Sequence, residues 1–261
     1  YLTSHGTLAW LAQRVCGVRG QLVASAWGSD ILVAPQRSAL LRHTTRRVLK
    51  ACALSTSDSQ VMATRMRELG AGEVLVFPFG LEAMPPEPPA KNDGLFFANR
   101  GLEPIYAPEH VLQAFAALDG WPDKHLVVAN DGSLRSALEA RAPAGVQFVG
   151  RLDAGTQAGH YAAARWYLSL PRSDSVAVSV LEAMAQGCIP ILSDLPANRE
   201  LVRDGDNGIL LADGEPLSAR RLQPLLARAA AVAADNRAWV QQHALFAPCV
   251  QRFVERLQAL A

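Results

Sequence analysis

The chain lacks long apolar runs. It contains no stretch of about eighteen uninterrupted apolar residues, which excludes a hydrophobic spanning helix of ordinary length. No signal-peptide pattern opens it. It is also poor in cysteine. Cys16, Cys52, Cys188 and Cys249 stand far apart, with no CxxC pair and no metal-ligand spacing. That excludes a disulfide framework or a zinc cluster and reads as small buried apolar residues in a reducing compartment. No Asp/His metal cluster is evident. Excess charge is missing too: 25 basic residues face 24 acidic ones, a net charge of +1, so nothing demands a nucleic-acid partner.

Apolar content is ample. Half of the 261 residues are hydrophobic, enough for a real core and for two domains. The charge is unevenly spread: up to Glu82 there are nine Lys/Arg against five Asp/Glu, and thereafter sixteen against nineteen. Arg42, Arg46, Arg47 and Lys50 fall near one face of a helix. Such a face reads as solvated, with membrane-surface contact as the alternative.

The pattern alternates strand and helix. In the first part, strands are predicted over 21–25, 51–55 and 74–78, with helices over 6–14, 38–50 and a further one ending near Leu69-Gly70. Ser57-Asp58-Ser59 can cap that last helix. Four prolines within Pro85–Pro89 suit an extended linker rather than a helix or central strand, and residues 83–93 are assigned as that linker. Alternation then resumes, with strands over 94–99, 125–129, 146–149, 166–170 and 189–193. Helices are expected over 108–118, 133–140, 159–164, 178–186, 218–235 and from Arg237 onward. Repeated strand–helix–strand units imply parallel sheets and an α/β class. The expected domains are 1–82, 94–245, and a C-terminal helix over 246–261 packing back on the first. The opening Tyr1-Leu2-Thr3-Ser4-His5-Gly6 reads as the exit from a strand, so an N-terminal truncation is expected.

The segment Ser173–Gly187 carries the chemistry. It is predicted as a loop and a helix between two strands. Such a loop turns backbone N–H groups toward whatever lies above the sheet edge, and the helix N-terminus adds about half a positive charge. A diphosphate fits there, where ligands of open α/β sheets bind. Asp174 stands before the helix and can accept hydrogen bonds from sugar hydroxyls. Glu182 lies about a turn inside, where its carboxylate can hold a ribose diol. The plain alternatives are a helix cap for Asp174 and a solvated position for Glu182.

This segment resembles the signature of the retaining glycosyltransferases of family 4, which have the GT-B fold: an acid, seven residues, Glu, then Ala-Met-Ala-x-Gly-x-Pro. Asp174 and Glu182 hold the two acidic positions, and Gly187 and Pro190 match. Ser193–Glu200, Asp204–Gly208, Trp27–Asp30, Phe77–Gly80 and Phe148–Arg151 resemble further landmarks. The resemblance implies two Rossmann-like domains with parallel sheets facing across a cleft, the first incomplete. It implies hexosyl transfer from a nucleoside-diphosphate sugar to a saccharide or lipid-linked acceptor in cell-envelope polysaccharide synthesis, with no cofactor and no metal. It further implies a cytoplasmic location, with peripheral contact at the inner membrane face as an option.

By position, the resemblance implies that Arg100 is the diphosphate-binding arginine, that Asp174 is the acid at the sugar and that Glu182 binds the ribose. Backbone groups of Ser175, Val176, Ala177 and Val178 meet sugar and diphosphate, and Gly150 and Arg151 line the base pocket. The resemblance places His5, Trp27 and Asp30 on the acceptor side, with packing for Trp27 and a turn or cap for Asp30 as equal alternatives. The chain departs from the pattern in four ways. Asp174 replaces the usual Glu, and Val176 and Ala177 replace glycines. No Lys follows Arg100 within the next several residues, Gly101–Tyr106, and the family's Gly-rich loop is absent. Two alternatives stay open: a nucleotide-sugar-binding module without catalysis, and a sugar-nucleotide epimerase, for which no convincing acid/base pair is seen.

Overall fold

The structure is a computed structural model and describes residues 2–260. The chain divides into two units. One comprises the residues up to Glu82, Ser173–Val176 and those from His243 onward; the other comprises Ala83–Arg172 and Ala177–Gln242.

In the first unit a π-helical turn over Leu2–Gly6 leads into α1 (Thr7–Cys16). Then come β1 (Leu22–Ser25), the short helices α2 (Ser29–Leu32) and α3 (Ala34–Arg37), α4 (Ala39–Ala51), β2 (Cys52–Ser57), α5 (Gln60–Glu68) and β3 (Val74–Val76). The three strands form a parallel sheet in the order β1-β2-β3. Its core joins Ile31, Val48, Leu49, Met62 and Met66 to the sheet. Helix starts follow the side chains that can accept: Ser38 takes the Leu40 N–H at 3.2 Å, and Ser59 takes the Met62 N–H at 3.2 Å. Each such cap contributes about 1 kcal/mol.

The second unit holds β4 (Asn92–Ala98), α6 (Pro108–Ala116), β5 (His125–Ala129), α7 (Arg135–Glu139), β6 (Val146–Gly150), α8 (Ala154–Ala163) and β7 (Ala164–Ser169). It continues with α9 (Val178–Ala185), β8 (Ile189–Ser193), β9 (Ile209–Leu211), α10 (Ala219–Leu226) and α11 (Ala229–His243). The last helix, α12 (Phe246–Gln258), belongs to the first unit. Six parallel strands run in the order β6-β5-β4-β7-β8-β9. Their apolar runs, such as Leu126–Ala129, are buried, as a sheet covered on both faces requires. Phe96, Phe115, Trp121 and Trp166 fill the core. Both units are therefore Rossmann-like, and the α/β class holds. No helix among the described residues is long and apolar enough to cross a membrane.

Several boundaries differ from the sequence reading. β4 begins at Asn92, inside the assigned linker. Just before it, the Lys91 ammonium donates to the carbonyls of Tyr161 (2.7 Å), Ala162 (3.1 Å) and Ala164 (2.9 Å), satisfying the end of α8. α8 starts at Ala154 rather than Gly159, because the Asp153 side chain accepts the Thr156 N–H at 2.9 Å and starts the helix earlier. The expected helix over 218–235 is two helices. The chain breaks after Leu226, where Arg228 turns to the carbonyls of Gly205 (3.0 Å) and Asp206 (2.7 Å). No break falls at Asp235–Asn236, because Asn236 is buried and exchanges two hydrogen bonds with Asn207, both at 2.9 Å. The loop Ser173–Val176, expected in the second domain, makes its contacts in the first unit.

Candidate functional site

In the second unit the strand order reverses between β4 and β7, and the loops after these two strands leave from the same sheet edge. Open α/β sheets bind ligands at such a crevice. Arg100 follows β4, and α9 follows β7. α9 ends where Gly187 adopts φ +76°, so that Gly187 N–H reaches the Met184 carbonyl (2.9 Å) and Cys188 N–H the Ala183 carbonyl (2.8 Å). At its start Ala177 offers no side-chain cap; the Val180 N–H bonds to the Ala177 carbonyl at 3.0 Å, and the amides of Val178 and Ser179 are the ones placed to meet a ligand.

Arg100 is anchored from two sides. Its guanidinium carbon lies 4.5 Å from the centre of the Tyr106 ring, and Nη1 lies 3.5 Å from the Ser179 hydroxyl on the first turn of α9. Glu182 lies one turn further along, half-buried. Its Oε2 accepts from the Tyr161 hydroxyl at 3.0 Å and from Gln157 Nε2 at 3.4 Å. Burial pushes the Glu182 carboxyl above its ordinary pKa, and the Tyr161 hydrogen bond opposes that shift in part. The second unit thus brings Arg100, Val178 and Glu182 together around Ser179. Gly150 and Arg151 stand at the end of β6, on the same sheet edge. The Gly150 carbonyl accepts the Asn130 N–H at 2.6 Å, and Arg151 is exposed.

Asp174, Ser175 and Val176 belong to the first unit. The Asp174 carboxylate accepts the Ser175 N–H at 3.0 Å. The Ser175 hydroxyl is hydrogen-bonded to the Asp58 carboxyl and lies 2.9 Å from the Ser59 hydroxyl. The Ser175 N–H, read from the sequence as a ligand donor, is therefore taken locally, and its side chain is only 2% exposed. Val176 is buried as well. Asp58 is buried, and its pKa is pushed up to about 7, chiefly by burial; the Ser175 hydrogen bond opposes this, and the charge of Asp174 adds to it.

The acceptor-side residues separate. Trp27 is 56% exposed and stacks on Phe79, with centroids 4.4 Å apart. Asp30 is only 2% exposed, and both of its oxygens are used, by the Leu2 N–H at 3.0 Å and the Trp27 N–H at 3.1 Å. It fixes a turn, one of the two roles its sequence position allowed. His5 is exposed in the opening turn, its Nδ1 3.2 Å from the Ser4 hydroxyl.

Sequence reasoning missed Asp58, Asn99, Gln157 and Tyr161 as members of these clusters. Tyr161 carries no motif signal. For Asp58 the signal was a carboxylate at the end of a strand, read only as a cap.

A cavity of about 290 Å³ opens elsewhere in the second unit, at the ends of β7, β8 and β9, lined by His110, Arg172, Asp194, Asp213 and Glu215 among others. Its charges already face partners. Asp194 pairs with Arg199 at 2.6 Å, Arg172 with Glu109 at 3.3 Å, and Glu215 with Arg221; His110 Nε2 lies 3.8 Å from Asp213. The candidate site is placed at the β4–β7 edge, where Arg100 meets the uncapped start of α9. No group of three or more His, Cys, Asp or Glu suited to a metal occurs among the described residues.

Residues 93–227 match the family described as glycosyl transferases group 1. None of the curated proteins matches the chain. Among solved structures, Anabaena HepE in complex with UDP-glucose is similar over 98% of this chain and 77% of its own, at 17% identity and a TM-score of 0.79. Sucrose-phosphate synthase from Thermosynechococcus elongatus is similar over 98% and 71%, at 16% identity and 0.76. The pneumococcal O-GlcNAc transferase GtfA, in complex with UDP and GlcNAc, is similar over 98% and 55%, at 13% identity and 0.75. At these identities the likeness establishes the fold.

Proposed function

Because the chain belongs to the group 1 glycosyltransferases, we propose that it transfers a hexosyl group, with retention of configuration, from a UDP-sugar to a saccharide or lipid-linked acceptor in cell-envelope polysaccharide synthesis. Uridine is favoured as the base because HepE and GtfA were both solved with UDP. The observation that carries the donor reading is the grouping of Arg100, the uncapped start of α9 and Glu182 around Ser179.

Each group has a task. Arg100 and the α9 amides meet the negative charge that grows on the diphosphate as the bond from the anomeric carbon to the phosphate oxygen breaks, a kind of electrostatic help worth about 3 kcal/mol per donor in comparable sites. Glu182 accepts from the ribose hydroxyls. Asp174 accepts from hydroxyls of the donor sugar. The acceptor oxygen bonds to the anomeric carbon on the face the diphosphate leaves, and the acceptor proton passes to the departing phosphate oxygen. With Arg100 and the helix end meeting that charge, the reading assigns no metal.

Calorimetric titration with UDP, GDP, ADP and UMP tests this. UDP is expected to bind most tightly. Arg100→Ala is expected to weaken UDP by roughly 30- to 100-fold, the equivalent of about 2–3 kcal/mol for a charged hydrogen-bonding group. UMP, which lacks the second phosphate, should change far less. Absence of binding by all three diphosphates, or equal losses for UDP and UMP, would overturn the donor assignment.

A further inference from the structure

A chain of hydrogen bonds runs through the core of the second unit and ends on Glu182. The Tyr167 hydroxyl donates to Asn99 Oδ1 at 2.8 Å. That fixes which way the amide points, so Asn99 Nδ2 donates to the Tyr161 oxygen at 2.8 Å. With its oxygen accepting from Asn99, the Tyr161 hydroxyl directs its single proton toward Glu182 Oε2 at 3.0 Å, with the Ser179 carbonyl at 3.2 Å as the neighbouring acceptor. Every link is oriented by the one before it. Burial raises the Tyr161 phenol's pKa well above its ordinary value, so it remains a donor throughout the working pH range.

The rings are clamped as well. Tyr161 stands edge-on to Phe97, with centroids 5.0 Å apart, and lies 5.6 Å from Tyr167. Asn99 directly precedes Arg100, and its carbonyl accepts from Asn130 Nδ2 at 3.3 Å. One network therefore pins both the strand end that carries Arg100 and the carboxylate on α9. Tyr161 and Gln157 both engage Oε2 of Glu182, which sets the rotation of the carboxylate about its last bond and presents Oε1 in a fixed direction.

We infer that Tyr161, oriented by Asn99 and Tyr167, is the positioning residue that aims Glu182 at a ribose diol, and that this buried chain sets the preference for ribonucleotide over deoxyribonucleotide donors. The inference rests on the proposed role of Glu182. A carboxylate free to turn can still meet one hydroxyl. Meeting two at once requires a fixed plane, and that is what the tyrosine supplies.

The test compares UDP with 2′,3′-dideoxyuridine diphosphate by calorimetry, on the full chain and on Tyr161→Phe and Tyr167→Phe. Phenylalanine keeps the ring contacts and removes only the hydroxyl. The unaltered chain should prefer UDP by about 30-fold or more, the order expected when a site built for substrate hydroxyls meets an analogue lacking them. Tyr161→Phe should reduce that preference to a few-fold while leaving affinity for the dideoxy compound nearly unchanged. Tyr167→Phe, which removes only the outermost link, should give an intermediate preference and stands as the measurement if Tyr161→Phe does not fold. A residue acting only in stability would move both affinities together. Preference retained in full by the variants overturns the inference and leaves the role of Glu182 intact. No preference in the unaltered chain overturns the role of Glu182 itself.

Discussion

Glu182→Ala is expected to lower affinity for UDP by roughly 100-fold or more, since hydrogen bonds to a charged group contribute about 1.5–3 kcal/mol each and two are lost. The fold should survive. Burial raises the Glu182 pKa, which means that the ionised carboxylate costs the folded chain free energy. Glu182→Gln should therefore melt higher than the unaltered chain at neutral pH while binding UDP poorly, a division expected of a group kept for function. The pH dependence has a defined sign. Only the carboxylate accepts from both ribose hydroxyls, so affinity should weaken as pH falls, starting above the ordinary glutamate range. The phosphates of UDP titrate too, and the Glu182→Gln variant, lacking the carboxyl, isolates their share. Calorimetric titration across pH supplies the affinities, and calorimetric melting the stability. A Gln variant that binds as well as the parent would contradict this.

The second large effect concerns Asp58. Its folded pKa of about 7 stands against an ordinary value of 3.8. Between those values the folded chain holds a proton that the unfolded chain has released, so stability falls as pH rises through that window. At about 1.4 kcal/mol per pH unit, the whole span amounts to roughly 4 kcal/mol. Asn cannot ionise, yet its amide oxygen can still accept from the Ser175 hydroxyl. Asp58→Asn should therefore be close to neutral near pH 4 and stabilising by several kcal/mol, at most roughly 4, at pH 8. Carboxylates held below their ordinary range, such as Asp194 beside Arg199, produce slopes of the opposite sign. The informative quantity is thus the difference between variant and parent in urea midpoints at pH 5 and pH 8. Parallel curves would show that Asp58 is not buried as described.

These two residues also show what the sequence could and could not disclose. Strands that are apolar and bounded by turn residues were legible to the residue, as with His125–Ala129 and Ile189–Ser193. β9 was missed because Ile209–Leu211 is three residues long, too short for periodicity to register. The helices after Ser218 were cut in the wrong place; at the actual junction Arg228 reaches Gly205 and Asp206, partners more than twenty positions away that the local pattern does not disclose. Glu182 was singled out because its motif is local. Tyr161 was not, because its meaning lies in Asn99 and Tyr167, which approach it only across the sheet. Asp30 read equally as a ligand contact or a turn, because its partners, the N–H groups of Leu2 and Trp27, are backbone and carry no side-chain signature. Asp58 and Ser175 lie 117 residues apart, a pairing that only the fold creates.

The central claim is that the nucleotide sugar sits at the β4–β7 edge of the second unit. Amide chemical-shift mapping of the isotopically labelled chain with UDP-glucose tests it most directly. The account predicts saturable shifts at Arg100, Gly150, Arg151, Val178, Ser179 and Glu182. Shifts confined to the cavity around His110, Asp194 and Asp213, or none at all, would contradict it.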